Sequence, residues 1–112
     1  MSGAVTPVFV QLGDDVLLEV KKPVVLTEEE DLFWKFNTSY SIVKLSYESK
    51  ETIYKKYSQR AELSDQNHSL LLKNLTQADS GHYVAKVTSA RDRIIAEYKV
   101  IVQSKFLIIF SL

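Results

Sequence analysis

The 112-residue chain contains no cysteine and only three glycines, which excludes several kinds of site at once. Without cysteine there is no disulfide, no thiol catalysis and no thiolate metal site. With so little glycine there is no glycine-rich loop to hold a phosphate. Lys and Arg total 14, as do Asp and Glu, so neither sign of charge is in excess. The sequence therefore gives no electrostatic reason to expect nucleic acid or an anionic membrane as a partner.

Signals for catalysis and for bound cofactors are also missing. The two histidines, His68 and His82, are far apart and lack the spacing of a metal-binding pair. No local signature of a Ser-His-Asp triad is present. We therefore predict that the chain is not an enzyme and uses no cofactor, metal or small-molecule substrate.

The length suits one domain with a single core. Met1–Ala4 does not begin a recognisable signal peptide. Phe106–Leu112 is apolar but far shorter than the ~20 residues that cross a bilayer. We assign residues 1–103 to one domain and residues 104–112 to an apolar tail. This tail is either the start of a truncated transmembrane helix, an additional strand, or an appended or spliced segment.

Apolar residues recur with a period of two, and turn residues interrupt them at short intervals, which favours an all-β sandwich. Leu32, Trp34 and Phe36 are typical of this alternation. The predicted strands are Val8–Val10, Asp15–Val20, Leu32–Phe36, Ser41–Tyr47, Ile53–Tyr57, Arg60–Leu63, one on each side of the Asp79–Gly81 turn, and Ile94–Val102. The total is about nine strands.

The most informative stretch runs from Leu70 to Ala85. It predicts a strand, a turn carrying Asp79 and Gly81, and a second strand that opens with Tyr83. This order resembles the tyrosine corner of an immunoglobulin sandwich, in which the buried tyrosine bonds its hydroxyl to the preceding corner. The second cysteine of that fold would lie two residues after the tyrosine, where this chain has Ala85.

Further landmarks resemble an immunoglobulin V-set domain. Residues 13–20 match the opening of strand B, with Val20 in the first cysteine position, and Trp34 matches the core tryptophan of strand C. Arg60 precedes strand D, where the family arginine pairs with the corner aspartate, here Asp79. The resemblance implies an all-β, immunoglobulin-like V-type sandwich of about nine strands that lacks the B–F inter-sheet disulfide. Its implied structural residues are Val20, Trp34, Arg60, Leu72, Asp79, Tyr83 and Ala85.

A narrower resemblance lies in Trp34–Asn37, Ile42–Lys44, Arg60, Ser69–Leu75 and Asp79–Gly81. These segments are similar to the membrane-distal domain of the SLAM family of lymphocyte receptors, which typically lacks cysteine on strands B and F. The resemblance implies a cell-surface immune receptor or adhesion domain.

Three N-glycosylation sequons also indicate a location on the cell surface. They begin at Asn37, Asn67 and Asn74, and none has proline in the middle position. A cysteine-free chain by itself would favour a reducing compartment, and three sequons shift the expectation towards a glycoprotein on the cell surface. An intracellular structural immunoglobulin module and a secreted decoy binding protein remain as alternatives.

SLAM-like domains bind through the G-F-C-C′-C″ sheet, so the resemblance implies a partner-binding face on that sheet. Strand alternation predicts its outward residues, to which Ile95 and Ile101 also belong. The predicted partner-binding face comprises Phe33, Lys35, Lys44, Glu48, His82, Val84, Lys86, Thr88, Glu97 and Lys99. Alternation on strand C′ is ambiguous because Ile42, Val43 and Leu45 are all apolar.

We expect the partner to be a V-set domain of another receptor or of a second copy, which would give a homodimer. Charges of both signs around a small apolar centre, such as Val84 and Phe33, favour weak, rapidly exchanging binding. A face that is merely solvated is the alternative interpretation.

Overall fold

The computed structural model describes residues 5–64 and 67–104 of the chain. Nine strands occur there: β1 (Thr6–Gln11), β2 (Val16–Leu18), β3 (Asp31–Phe36), β4 (Tyr40–Ser46), β5 (Glu51–Ile53), β6 (Ala61–Leu63), β7 (Leu70–Leu72), β8 (Gly81–Thr88) and β9 (Arg93–Gln103). Two single 3-10 turns, Lys55–Tyr57 and Gln77–Asp79, complete the regular structure. The predicted all-β sandwich is confirmed. The segment assigned as a tail lies outside the described residues beyond Ser104.

Two sheets form the sandwich. One has six strands in the order β1-β9-β8-β3-β4-β5, and the other has three in the order β2-β7-β6. In V-set letters the larger sheet is A′-G-F-C-C′-C″ and the smaller one is B-E-D. Strands β1 and β9 run parallel, whereas the other pairs are antiparallel. Within the described residues, no helix is long and apolar enough to span a membrane.

The core lies between the sheets and follows the alternation expected for half-buried strands. On β3, Leu32, Trp34 and Phe36 are buried while the residues between them are partly exposed. Val20 and Ala85, which occupy the two cysteine positions, are both buried in the same apolar cluster as Trp34. Packing of apolar side chains therefore replaces the inter-sheet disulfide at this place.

Polar groups beside that cluster are satisfied. The Val20 N–H donates to Ser69 Oγ over 2.8 Å, and the indole Nε1 of Trp34 donates to the His68 carbonyl over 2.9 Å. Both donors would otherwise be unpaired in the interior, which costs about 1–3 kcal/mol each.

The corner before β8 has the geometry of a tyrosine corner. The Tyr83 hydroxyl donates to the Asp79 carbonyl over 2.6 Å, and Arg60 Nη2 lies 2.6 Å from Asp79 Oδ2. Asp79 Oδ2 also accepts the Thr76 N–H over 2.8 Å. Arg60 Nε donates to the Lys73 carbonyl, so the guanidinium joins strands β6 and β7 to the corner.

Two β-bulges change which residues face outward. Trp34 pairs with Val43 but Lys35 pairs with Ser41, which leaves Ile42 as an extra residue on β4. Ile42 and Val43 are therefore both buried, which resolves the ambiguous alternation on this strand.

The second bulge lies on β9. Ala85 pairs with Ala96 but Lys86 pairs with Ile94, so Ile95 is the extra residue. Ile95 packs against the core cluster. The prediction that Ile95 faces outward is thus wrong, because the bulge shifts the alternation by one residue and puts Ile94 beside Lys86.

One predicted strand also needs correction. The segment expected to be a strand over 53–57 begins with the end of β5 and continues as a 3-10 turn. The Tyr57 N–H donates to the Tyr54 carbonyl over 2.8 Å, which closes the turn and directs the Tyr57 ring into the core. Burial of an aromatic ring, rather than β-sheet pairing, explains the apolar residue at position 57.

Candidate protein-binding face

The side of the six-stranded sheet that faces away from the smaller sheet is called the outer face here. Strand pairing arranges its residues in rows across the strands. These rows are Ile94–Lys86–Phe33–Lys44–Thr52, Glu97–Val84–Lys35–Ser41, Pro7–Lys99–His82 and Phe9–Ile101.

The structure places nine of the ten predicted face residues on β3, β4, β8 and β9 of this sheet. Thr88 ends β8 and pairs with Asp31, on the same side of β3 as Phe33. Glu48 is instead in the turn between β4 and β5, where it is exposed. The nine residues on the strands lie on one surface.

A basic cluster surrounds the Phe33 ring. Lys35 Nζ lies 5.3 Å from the ring centroid and Lys44 Nζ lies 5.8 Å from it. Both distances are within the range of cation–π attraction, worth about 0.5–1 kcal/mol at exposed sites. Lys86 is the third lysine beside Phe33, because it is its cross-strand partner on β8.

Acidic groups border this cluster. Lys86 Nζ lies 4.0 Å from Asp92 Oδ2, and Asp31 lies two residues before Phe33 on the same side of the strand. The Phe33 ring is therefore a partly exposed apolar surface held between ammonium groups, with carboxylates at its edge.

A hydrogen-bonded pair occupies the next part of the face. His82 Nε2 lies 2.6 Å from Glu97 Oε2, and the Glu97 side chain is only 16% exposed. Val84 pairs across the sheet with both Lys35 and Glu97 and is 5% exposed, although it is on the outer side. Val84 therefore offers a partner little apolar area, in contrast to the expectation that it forms an apolar centre with Phe33.

Sequence reasoning did not assign the residues at the β1 edge to this face. Phe9 is 65% exposed and pairs with Ile101 of β9. The signal that could have found Phe9 is its position between the inward Val8 and Val10 on one short strand. Phe9 and Ile94 are the two large apolar side chains in these rows that are classed as exposed.

The described part of the chain holds no group of three or more His, Asp or Glu side chains that could bind a metal ion. The outer face carries ammonium groups, carboxylates and separated apolar side chains. Such a surface is suited to contact with another protein, in which apolar contacts supply affinity and charges supply selectivity.

Comparison with protein families agrees with the immunoglobulin-like fold of the structure. The chain matches the family model described as natural killer cell receptor 2B4 over residues 13–104. No curated protein matches the chain.

Among solved structures, the chain is similar to the first Ig-like domain of human CD48, with a TM-score of 0.76 and 18% identity over 94% of this chain and 87% of that one. It is also similar to CD84 of the SLAM family, with a TM-score of 0.64 and 18% identity over 91% of this chain and 100% of that one. A third similar structure is the extracellular domain of the sodium channel beta4 subunit, with a TM-score of 0.68 and 23% identity over 94% of this chain and 96% of that one. At these identities the likeness shows the V-type fold.

Proposed function

The chain belongs to the natural killer cell receptor 2B4 family of immunoglobulin domains, and from that premise we propose that it is a cell-surface receptor domain that binds another V-set domain through its outer face. The family match confirms the resemblance to SLAM-family domains. Members of this family are receptor ectodomains on the cell surface, which favours this function over an intracellular structural module.

The observation that carries the proposal is the cluster around Phe33. An aromatic ring held between Lys35 and Lys44 on a sheet face that no other element of the described chain covers is a small apolar contact with charges beside it. Aromatic side chains and charged residues around them are the usual composition of an interface centre and its rim.

Similar structures support the choice of partner. The CD58 structure is described as the CD2-binding domain of that protein, and the beta4 subunit is described as a parallel homodimer with a role in cell–cell adhesion. Both bind proteins, one in a heterophilic and one in a homophilic way. We extend that behaviour to this chain as a proposal, with a V-set domain as partner.

Weak affinity follows from the composition of the face. Because Val84 is covered and the apolar residues are separated by lysines, the area that can be buried is small. An interface near the lower end of the usual range gives micromolar or weaker binding for a single domain. Many copies on two apposed membranes would then act together through avidity.

N-linked glycans introduced at chosen surface positions, called glycan wedges here, test the face without disrupting the fold. Lys86→Asn creates the sequon Asn-Val-Thr on the outer face, and Glu62→Asn creates Asn-Leu-Ser on the exposed side of β6 in the other sheet. Lys86→Gln removes the same charge without adding a glycan. Each variant is expressed in mammalian cells and tested by surface plasmon resonance against the V-set domains of CD48, CD58 and CD84, and by sedimentation against itself.

We expect the glycan at position 86 to abolish binding, Lys86→Gln to weaken it, and the glycan at position 62 to leave it unchanged. If only the wedge at position 62 blocks binding, the partner uses the smaller sheet and the proposed face is wrong. If no V-set domain binds the parent chain even at high micromolar concentration, the adhesion function itself is wrong.

A further inference from the structure

The three sequons differ in how the fold uses their side chains. At Asn67, Oδ1 accepts the Ser69 N–H over 3.2 Å, and Ser69 itself is buried with its Oγ bonded to the Val20 N–H. Both sequon side chains thus hold the chain next to the core. The polar residues at 67 and 69 are explained by structure without a glycan.

Asn74 is exposed and lies two residues after the end of β7, a strand of the smaller sheet. Its backbone has φ of +53° and its N–H donates to Asp15 Oδ1 over 2.9 Å. Asn74 thus follows a strand of the smaller sheet and is not part of the outer face.

Asn37 is held in a specific orientation at the corner of the outer face. Its N–H donates to the His82 carbonyl over 2.8 Å, and its Oδ1 accepts the His82 N–H over 2.9 Å. Gly81 permits this close approach, because a Cβ there would lie 2.6 Å from Asn37 Oδ1. Residues 37–39 are all exposed, so the sequon lies in an accessible turn.

The bond from His82 uses Asn37 Oδ1 and not Nδ2, which is the atom that N-glycosylation modifies. N-glycosylation replaces one hydrogen on Nδ2 and leaves both lone pairs of Oδ1 in place. The bond from His82 to Oδ1 can therefore persist in a glycosylated protein. Since Oδ1 points towards β8, Nδ2 on the other branch of the planar amide points away from that bond.

We propose that Asn37 carries an N-linked glycan whose first sugars border the outer face beside His82, so that the partner docks towards the Phe33 end of the sheet. The second half of this inference rests on the proposed function. Phe33 is four residues from Asn37 along β3, about 13 Å in an extended strand. His82 pairs with Lys99, so the glycan leaves the sheet at that row, two rows away from the row of Phe33.

The first test measures occupancy and does not depend on any partner. The chain is secreted from mammalian cells, treated with peptide N-glycosidase, and analysed by mass spectrometry for the conversion of asparagine to aspartate at each sequon. We expect conversion at Asn37 in most molecules. Ser39→Ala removes the sequon hydroxyl but keeps the Asn37 side chain and its bonds, so it should lose one glycan with an unchanged melting temperature. A parent chain that is unmodified at Asn37 would overturn the inference.

The second test measures docking with whichever V-set domain binds the parent. Because the glycan lies at the border, Ser39→Ala should change the dissociation constant by no more than about twofold. Lys44→Glu, next to Phe33, should weaken binding in both the glycosylated and the Ser39→Ala background. A gain of about tenfold or more on losing the glycan would show that the sugar covers the docking area, and that part of the inference would then be wrong.

Discussion

The two sides of the six-stranded sheet are contrasting environments, one buried and apolar and the other partly exposed and charged. On the inner side of β3, Leu32 and Trp34 have no exposed surface, and the neighbouring strands add only apolar side chains to the cluster. On the outer side, Phe33 and Lys35 are partly exposed and lie among charges of both signs. Adjacent residues on one strand therefore belong to two different environments.

This difference separates stability from recognition. Substitutions on the inner side leave cavities or unpaired groups, which are the substitutions with large effects on the free energy of unfolding. Substitutions on the outer side change charge and contact area with little effect on folding. Substitution of neighbouring or matched residues on the two sides tests how complete this separation is.

Trp34→Ala should have the largest effect, with a loss of about 3–5 kcal/mol in the free energy of unfolding, because it empties the core beside Val20 and Ala85. It also leaves the His68 carbonyl without its indole donor. The control is Phe33→Ala on the same strand, which should lose about 1 kcal/mol or less. Urea unfolding measures both, and equal losses would mean that the two sides do not differ in this way.

Asp79→Ala should have the next largest effect, a loss of about 2–4 kcal/mol in the free energy of unfolding. It removes the partner of a partly buried guanidinium and the acceptor of the Thr76 N–H. Because the Arg60 side chain is 28% exposed, the expected loss of unfolding free energy is smaller than for a fully buried pair. A double-mutant cycle with Arg60→Met measures the coupling between the two side chains. Additive single effects would show that the pair contributes no more than an exposed one.

Alkaline pH should destabilise the fold through buried tyrosines. Burial, followed by the nearby Asp79 charge, raises the pKa of Tyr83 far above its usual 10.0, and burial also raises the pKa of Tyr57 and of Tyr98. Unfolding exposes phenols that ionise near pH 10, so the unfolded state binds fewer protons there than the folded state. Stability is therefore retained below pH 10 and falls as the pH rises beyond it.

Thermal unfolding between pH 8 and 12, followed with tyrosinate absorbance, measures this loss. Tyr83→Phe removes the bond to the Asp79 carbonyl and should cost about 1 kcal/mol at neutral pH. The same variant should show a smaller decrease in stability above pH 10 than the parent. An equal decrease in both proteins would assign the alkaline transition to other groups.

Charge reversal on the outer face should have the smallest effect on stability and a clear effect on binding. Lys35→Glu and Lys86→Glu should change the free energy of unfolding by about 0.5 kcal/mol or less. Both should weaken binding to a V-set partner and reduce its dependence on salt. The control is Lys73→Glu beside the smaller sheet, where the Lys73 ammonium pairs with the exposed Glu62. If Lys73→Glu weakens binding as much, the outer face is not the interface.

The inner side could be predicted well from the sequence because burial imposes a strict pattern. Trp34, Tyr83 and the Asp79 corner are landmarks with fixed spacing, and the alternation on β3 is unbroken. The outer side was harder because two β-bulges add a residue without any change in composition. Ile42 and Val43 are equally apolar, as are Ile94 and Ile95, so the sequence gives no sign of where the alternation shifts.

The exposed fractions of side chains on the outer face were also hard to predict from the sequence. Val84 has the outward position that alternation predicts, yet it is 5% exposed between its cross-strand partners Lys35 and Glu97. The length and direction of neighbouring side chains decide such cover, and a single sequence does not encode them in a local pattern. Phe9 shows the opposite case, since its neighbour Ile101 leaves it open at the sheet edge.

The parallel pairing of β1 with β9 has a mechanical consequence. Strand β9 lies between β1 and β8, with which it pairs along Thr6–Gln11 and Gly81–Val87 respectively. A pulling force on the C-terminal end of β9, directed along the strand, loads the hydrogen bonds to both neighbours together in shear. Bonds loaded in this way share the tension, whereas bonds peeled from one end break in turn. With no covalent link between the sheets, the hydrogen bonds of this strand triplet carry the load when β9 is pulled.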